Sequence, residues 1–321
     1  MRISVVTPVY NEERSIPLFL ERLTAVLTGL GDYEIIAVDD GSRDGSFVVL
    51  AAATATDPHI KVIRLATNFG QTAALAAGIE AARGAIIVLI DSDLENDPAD
   101  IPGIIKMIEN DESDVVSGWR EGRWAGAAFT RRLPSHAANR LISKVTGVHL
   151  HDYGCTLKAY RRELIQDIAL YGEMHRFIPA YAAQQGARVK EVPVRYEPRR
   201  YGKSNYGLSR TLRVIPDLFL FVFFARFGSR PMHLFGYAAF ISLGVGIVSI
   251  ALALYWKIFE GVSLIETPVP TFAAMAVILS VQFLMFGFLA EMLMRTYYES
   301  QRRRPYRIKQ TVGIDIRDSG M

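Results

Sequence analysis

The sequence predicts an α/β fold with a doubly wound, mostly parallel sheet (Rossmann-like), followed by an amphipathic helix at a membrane interface and two transmembrane helices. One observation is that apolar runs of strand length alternate with segments of helix length across residues 1–90, which is typical of a right-handed parallel sheet. The other is that residues 232–256 and 267–290 carry no charged side chain, over 25 and 24 residues. Each run exceeds the ~20 residues that a helix needs to cross the hydrocarbon core of a bilayer.

These runs divide the chain of 321 residues into four segments. We expect a soluble domain at 1–210, an interfacial helix at 211–230, two spans within 231–294 and a basic tail at 295–321. A pair of buried core helices is the alternative, but charge-free runs of this length are uncommon in soluble domains. Lys and Arg flank the spans on their outer sides, so both chain ends are predicted to face the cytoplasm.

The composition disfavours several function classes. The net charge of +3 is too small to indicate nucleic acid binding by itself. The single cysteine, Cys155, excludes a disulfide framework and a multi-cysteine metal site. The sequence has no G-x-G-x-x-G turn and no G-x-x-x-x-G-K-[ST] loop, which disfavours a dinucleotide oxidoreductase or a P-loop ATPase.

The predicted elements of the soluble domain follow from hydrophobic periodicity and from turn residues. Strands are expected at residues 3–7, 34–38, 61–65, 85–90, 114–118 and 189–196. The intervening helices are expected at residues 15–30, 44–55, 71–82 and 101–110. Pro8 is expected to close the first strand.

Polar side chains follow the first four strands, and the carboxyl ends of parallel strands meet at one edge of a sheet, where ligands bind. They are Tyr10, Glu12, Asp39, Asp40, Asn68, Asp91 and Asp93. Asp91 and Asp93, with Glu95 close by, are oxygen donors of the kind that Mg²⁺ or Mn²⁺ prefers. An acidic turn that caps a strand is the alternative for Asp-x-Asp alone, and the position at a strand end favours the metal site.

Basic residues are concentrated near the apolar runs. Residues 125–145 place Arg131 and Ser135 on one face at helical spacing, which indicates either a solvated basic helix or a site for an anionic headgroup. Residues 195–213 hold six Lys or Arg against one acid, Glu197. A solvated face or an RNA site is the alternative there, and the adjoining apolar segment favours the membrane surface.

Several of these stretches together resemble the GT-A catalytic domain of family 2 glycosyltransferases. They are Thr7-Pro8-Val9-Tyr10-Asn11-Glu12, Val38-Asp39-Asp40-Gly41-Ser42 and Asp91-Ser92-Asp93. The stretches Asn68-Phe69-Gly70-Gln71 and Arg199-Arg200-Tyr201-Gly202-Lys203-Ser204, with the two trailing spans, are similar to polyprenyl-phosphate glycosyltransferases such as dolichyl-phosphate mannosyltransferase and bacterial undecaprenyl-phosphate glucosyltransferases.

The resemblance implies a role for each matching residue. The nucleotide-sugar site would comprise Pro8, Tyr10, Glu12, Asp39, Asp40, Asn68 and Asp91. Mg²⁺ or Mn²⁺ would be bound by Asp91, Asp93 and Glu95. The lipid phosphate would be bound by Arg120, Arg131 and Ser135. The catalytic residues would be Asp93, Asp152, Arg200 and Lys203.

The implied reaction is inverting transfer of a sugar, with UDP-glucose the favoured donor, to undecaprenyl or dolichyl phosphate in a membrane. A GDP-mannose-dependent enzyme, a processive polysaccharide synthase and a non-catalytic membrane-anchored nucleotide-binding protein are the alternatives. The processive synthase is disfavoured because the sequence has neither a Gln-x-x-Arg-Trp motif nor additional spans. We expect a bacterial inner-membrane protein with no nucleic acid partner, and the spans are compatible with a homo-oligomer.

Overall fold

A computed structural model describes residues 2–121, 139–140, 142–144, 146–166, 168, 170, 174–198, 231–265, 267–300 and 306–314. One eight-stranded sheet has the strand order β7-β5-β6-β4-β1-β2-β3-β8. Its strands are β1 (Ile3–Val9), β2 (Tyr33–Asp39), β3 (Ile60–Leu65), β4 (Ile86–Leu89), β5 (Val115–Arg120), β6 (Lys158–Arg161), β7 (Val189–Val194) and β8 (Ile308–Val312). The helices are α1 (Ile16–Thr28), α2 (Ser46–Thr56), α3 (Gln71–Ala81), α4 (Ile101–Glu109), α5 (Arg162–Ile165), α6 (Ile178–Gln184), α7 (Pro231–Phe259) and α8 (Val269–Ser300).

The central strands β4, β1, β2 and β3 are parallel, as the alternating strand and helix pattern predicts. Their side chains alternate between two cores, with Val5 packed in the layer of α1 and α4 and Val6 in the layer of α3. Helices therefore cover both faces, and the doubly wound, mostly parallel fold is confirmed. The helix α3 lies close to the sheet because it has a glycine there: a Cβ on Gly78 would lie 2.2 Å from Val6 Cγ1.

The sheet is mixed because of two strands that were not predicted, β6 and β8. β6 runs antiparallel between β4 and β5, and β8 runs antiparallel beside β3. β1 also continues through Pro8 to Val9, beyond its predicted end. Pro8 is tolerated because the ladder with β4 ends at Val6 opposite Leu89, so only β2 pairs with this part of β1.

The strand β8 comes from the segment predicted as a basic tail. Thr311 pairs with Ile63, and the backbone N–H of Ala66 donates to the carbonyl of Arg307 over 2.8 Å. Tyr306 is buried, and its hydroxyl donates to the carboxylate of Glu80. The chain accordingly forms two compact units, one of Met1–Phe219 with Arg304–Met321 and the other of Leu220–Arg303.

The second unit contains α7 and α8, which pack against each other. Within the part of the chain that the structure describes, two helices are long and apolar enough to cross a membrane, Leu234–Phe259 and Val269–Ala290, each with a mean hydropathy of 2.2. Only 17% of the apolar 18-residue stretch in the first helix is buried, and 22% of that in the second, whereas a core helix of a soluble protein would be mostly buried. The low burial of both helices therefore favours membrane spans over a pair of buried core helices. The interfacial helix expected at 211–230 lies outside the described residues.

Candidate active site

The predicted acidic residues follow adjacent strands of the sheet. Asp39 ends β2, and Asp91 follows β4 by two residues. The N–H of Asp40 donates to the carbonyl of Val9 over 2.9 Å, and the N–H of Ile90 donates to the carbonyl of Val6 over 3.2 Å. The carboxyl ends of β1, β2 and β4 therefore form one edge, as the sequence predicts.

Asp39 and Asp40 both bind backbone at this edge. The Asp40 carboxylate accepts hydrogen bonds from the N–H groups of Phe69 (2.8 Å) and Gly70 (2.9 Å). Burial raises the pKa of Asp40, and those two backbone hydrogen bonds oppose the rise. Asp39 accepts from the N–H of Ser42 over 3.0 Å. Both carboxylates thus fix the loops that form the floor of the site.

The loop after β1 is joined to the loop after β2. Ser42 Oγ accepts from the N–H of Asn11 over 3.0 Å, and Ser46 Oγ accepts from the N–H of Glu12 over 2.9 Å. The carboxylate of Glu12 accepts from Ser15 Oγ over 2.6 Å. Tyr10 remains 37% exposed, so its ring is accessible to a ligand at this edge.

Asp91 and Asp93 offer carboxylate oxygens beyond the end of β4. Asp91 is half-buried and accepts from Gln71 Nε2 over 2.9 Å. Asp93 is buried, and its Oδ1 accepts from the N–H of Glu95 over 3.0 Å. Within the described ranges, no group of three or more His, Cys, Asp or Glu side chains is arranged to hold a metal ion. Two carboxylates still fit Mg²⁺ or Mn²⁺, because Mg²⁺ sites commonly combine one or two carboxylates with substrate phosphates.

Arg120 joins this acidic loop to the loop that carries Asp152. Its side chain is 2% exposed, with Nε 2.8 Å from Asp152 Oδ2, Nη2 3.2 Å from Asp152 Oδ1 and Nη1 3.2 Å from Glu95 Oε2. Asp152 also accepts from the N–H of Gly154 over 3.0 Å. The resemblance implies that Arg120 binds the lipid phosphate and that Glu95 binds the metal, and in the structure these two side chains also contact each other. The reason is that β5 ends beside the connection that precedes β6.

The other residues expected at the lipid phosphate and over the diphosphate are not among the described residues. They are Arg131, Ser135, Arg200 and Lys203. Asn68 directly precedes Phe69 and Gly70, whose N–H groups donate to the carboxylate of Asp40.

A cavity next to Asp91 is lined by residues that were not predicted to belong to the site. Three basic side chains line it: Lys158 at the start of β6, and His175 and Arg176 in the single 3₁₀ turn before α6. Lys158 Nζ donates to the carbonyl of Tyr153 over 3.0 Å, and His175 Nδ1 lies 2.7 Å from Thr72 Oγ1. Burial lowers the pKa of Lys158 to about 8. No spacing in the sequence joins these residues, because the sheet order alone brings them together.

Comparison with known proteins is consistent with this arrangement. The profile of the family described as Glycosyl transferase family 2 matches residues 4–169. Over 97% of this chain and 93% of the relative, the sequence is 41% identical to the dodecaprenyl-phosphate galacturonate synthase of Rhizobium johnstonii. Over 97% and 94%, it is 35% identical to the undecaprenyl-phosphate 4-deoxy-4-formamido-L-arabinose transferase of Aeromonas hydrophila.

A solved structure confirms the type of fold. Glucosyl-3-phosphoglycerate synthase from Mycobacterium tuberculosis, in complex with Mn²⁺ and UDP-glucose, matches with a TM-score of 0.53 at 21% identity. The match covers 69% of this chain and 78% of that chain, so the sheet is GT-A-like. The chain therefore belongs to glycosyl transferase family 2, and its relatives along nearly the whole length are polyprenyl-phosphate glycosyltransferases.

Proposed function

We propose that this protein transfers a sugar from a nucleotide diphosphate sugar to the phosphate of a polyprenyl phosphate. The observation that carries the proposal is the link through Arg120. This buried guanidinium joins the loop of Asp93 and Glu95, expected to bind the metal, to the loop of Asp152, which is expected to be catalytic. The same chain carries two candidate spans, which suit an acceptor that resides in a membrane.

The donor nucleotide would lie across the ends of β1 and β2. The exposed ring of Tyr10 offers a face for a base, and Asp39 and Asp40 keep the surrounding loops in place. We favour UDP as the nucleotide. Support comes from the fold, since the solved neighbour binds UDP-glucose.

Asp91 and Asp93 would hold Mg²⁺ or Mn²⁺ beside the donor diphosphate. When bound, such an ion stabilises the negative charge that develops on the leaving diphosphate. Gln71 orients Asp91 through its amide, and the N–H of Glu95 orients Asp93. These hydrogen bonds fix the carboxylates before substrate binds, which is the preorganisation that such a site requires.

The reaction is a displacement at the anomeric carbon. A phosphate oxygen of the acceptor forms the new bond, the bond to the donor diphosphate breaks, and its electron pair leaves with the nucleoside diphosphate. The acceptor is already an anion near neutral pH, so no strong base is required. Asp152, held by two hydrogen bonds from Arg120, would orient the acceptor.

The identity of the sugar is the finer part of the proposal. The sequence favoured glucose, whereas the names of the full-length relatives point to galacturonate or 4-deoxy-4-formamido-L-arabinose. We therefore propose a sugar of one of these two kinds and keep glucose and mannose as alternatives.

The membrane orientation is proposed on two grounds. Basic residues flank the spans on their outer sides. In addition, β8 follows the spans in the chain and pairs with β3, which precedes them, and this supports an even number of crossings. We propose that the sheet and the C-terminal segment both face the cytoplasm of a bacterial inner membrane.

The test is transfer of a radiolabelled sugar into lipid. The purified full-length protein in detergent would be incubated with Mn²⁺, undecaprenyl phosphate and each member of a panel of UDP- and GDP-sugars. We expect organic-extractable label from at least one UDP-sugar, and none when polyprenyl phosphate is omitted. If no nucleotide sugar yields a labelled lipid, the proposed function is wrong.

A further inference from the structure

The cavity beside Asp91 contains a buried ammonium group. Lys158 is 3% exposed, and its hydrogen bond goes to the carbonyl of Tyr153, which carries no formal charge. Among the described residues Lys158 forms no ion pair, although an ammonium group has three N–H donors. Burying a charge is costly unless an opposite charge compensates it. The site is therefore suited to an anion.

Two further basic side chains line the same cavity. His175 and Arg176 reach it from the 3₁₀ turn before α6, and the positive charge of Arg176 also contributes to the lowered pKa of Lys158. The remaining lining includes one acidic residue, Asp91, together with Leu75, Leu89 and Tyr153. The enclosed part of the cavity is about 20 Å³, which is room for about one water-sized group, and the rest opens to solvent.

The strand order indicates which part of the donor reaches this cavity. Along the edge the order is β2, β1, β4, β6. The nucleoside is expected at β1 and β2, and the diphosphate at Asp91 and Asp93 after β4. The cavity is lined by the end of β4, the start of β6 and Leu75 of α3, so it comes next along the same line. The group that follows the diphosphate in a nucleotide sugar is the sugar.

We propose that Lys158, with His175 and Arg176, binds a carboxylate on the donor sugar, so that the preferred donor is a nucleotide hexuronate. This inference rests on the proposed function and specifies which kind of sugar the donor carries. A neutral hexose or formamido-pentose adds no negative charge beside the Lys158 ammonium, whereas a hexuronate supplies one. Lys158 thus determines specificity.

The experiment compares UDP-galacturonate with UDP-galactose, which differ only in a carboxylate against a hydroxymethyl group. For the full-length protein with Mn²⁺ and undecaprenyl phosphate, we expect kcat/KM to favour the uronate by about ten- to a hundredfold, as for a hydrogen-bonded charged group. Lys158→Met should bring this ratio toward one, and Lys158→Arg should largely retain it. Lys190→Met, at an exposed lysine of β7, is the matched control and should leave the ratio unchanged.

Equilibrium binding keeps the proposal testable without turnover. The ratio of Kd values for the two donors should change in parallel with kcat/KM, and the thermal midpoint of Lys158→Met should equal or exceed that of the wild type, because a buried charge has been removed. An equal loss of affinity for both donors would show that the cations bind the diphosphate and would overturn the proposal. So would a wild-type preference for the neutral sugar. If the uronate binds selectively but no lipid product forms with any donor, the proposed function fails and the cavity assignment stands.

Discussion

The guanidinium of Arg120 binds the carboxylate of Asp152 through two hydrogen bonds, from Nε to Oδ2 at 2.8 Å and from Nη2 to Oδ1 at 3.2 Å. Its remaining terminal nitrogen lies 3.2 Å from Glu95. A planar fork of donors is suited to such bidentate contact, and lysine cannot reproduce it. The arginine therefore fixes the loop that carries Glu95 relative to the loop that carries Asp152.

Replacing Arg120 by alanine should destabilise the catalytic domain. Removing one partner of a buried ion pair costs about 3–5 kcal/mol, because the carboxylates lose their compensating charge. We expect a clear fall in the thermal midpoint of the full-length protein in detergent, with a smaller fall for Arg120→Lys. An unchanged midpoint for Arg120→Ala would contradict the structural role.

Asp152→Asn retains the size of the side chain and removes its charge. The Arg120 contact would weaken, and the acceptor would be less well oriented, so we expect kcat to fall by about a hundredfold. Nucleotide affinity, measured by titration with UDP and Mn²⁺, should change little. Full turnover by this variant would exclude both a positioning role and a base role for Asp152.

Asp93→Ala should abolish metal-dependent transfer. With one carboxylate ligand lost, the leaving diphosphate would be less stabilised, and we expect kcat to fall by at least about a hundredfold. Electron paramagnetic resonance of Mn²⁺ with UDP should show weakened binding. Asp97→Ala is the matched control, because Asp97 lies in the same loop and caps the turn at Ala99. Wild-type activity that persists in EDTA would refute the metal assignment.

The preference for a charged sugar should depend on pH. Burial lowers the pKa of Lys158 to about 8, so the amine loses its charge as the pH rises through 8 and the uronate preference should decline between about pH 7 and 9. The folded state binds this proton more weakly than the unfolded state, whose pKa is 10.5, so the stability of the fold should rise between about pH 8 and 10.5. The other charged or titratable groups acting on Lys158 are Cys155, Asp152, Arg120 and Arg176. Lys158→Arg should show a flat profile, and a wild-type profile equally flat would contradict the role of the amine.

Membrane orientation can be tested with cysteine labelling. The single native thiol, Cys155, is buried, and burial raises its pKa to about 11, so background reaction should be small. An impermeant maleimide should label Glu260→Cys, in the exposed connection between the apolar helices, from outside intact spheroplasts. Lys309→Cys in β8 should react only after permeabilisation. Labelling of both positions from the same side would contradict two crossings.

The parallel half of the sheet was predictable because buried parallel strands are continuous apolar runs with polar residues at their ends. Asp40 and Asp91 could be placed at one edge on that basis. β6 was not predictable, since four residues containing Lys158 and Arg161 give no strand signal. The ion pairs of Arg120 were equally hidden, because its partners lie 25 and 32 residues away in the sequence. A charged residue at a strand end suggests a ligand contact, and only the tertiary structure shows that Arg120 also contacts Glu95 and Asp152.

The pairing of β8 with β3 bears on how a water-soluble fragment could be made. A fragment cut just before the apolar helices would leave β3 with a free row of backbone donors and acceptors, a template for aggregation. It would also lose the ring of Tyr306 from one core. A fragment in which a short flexible linker rejoins residues 306–314 to the catalytic domain would keep that edge covered, so crystallisation trials should start from such a fusion rather than from a simple truncation.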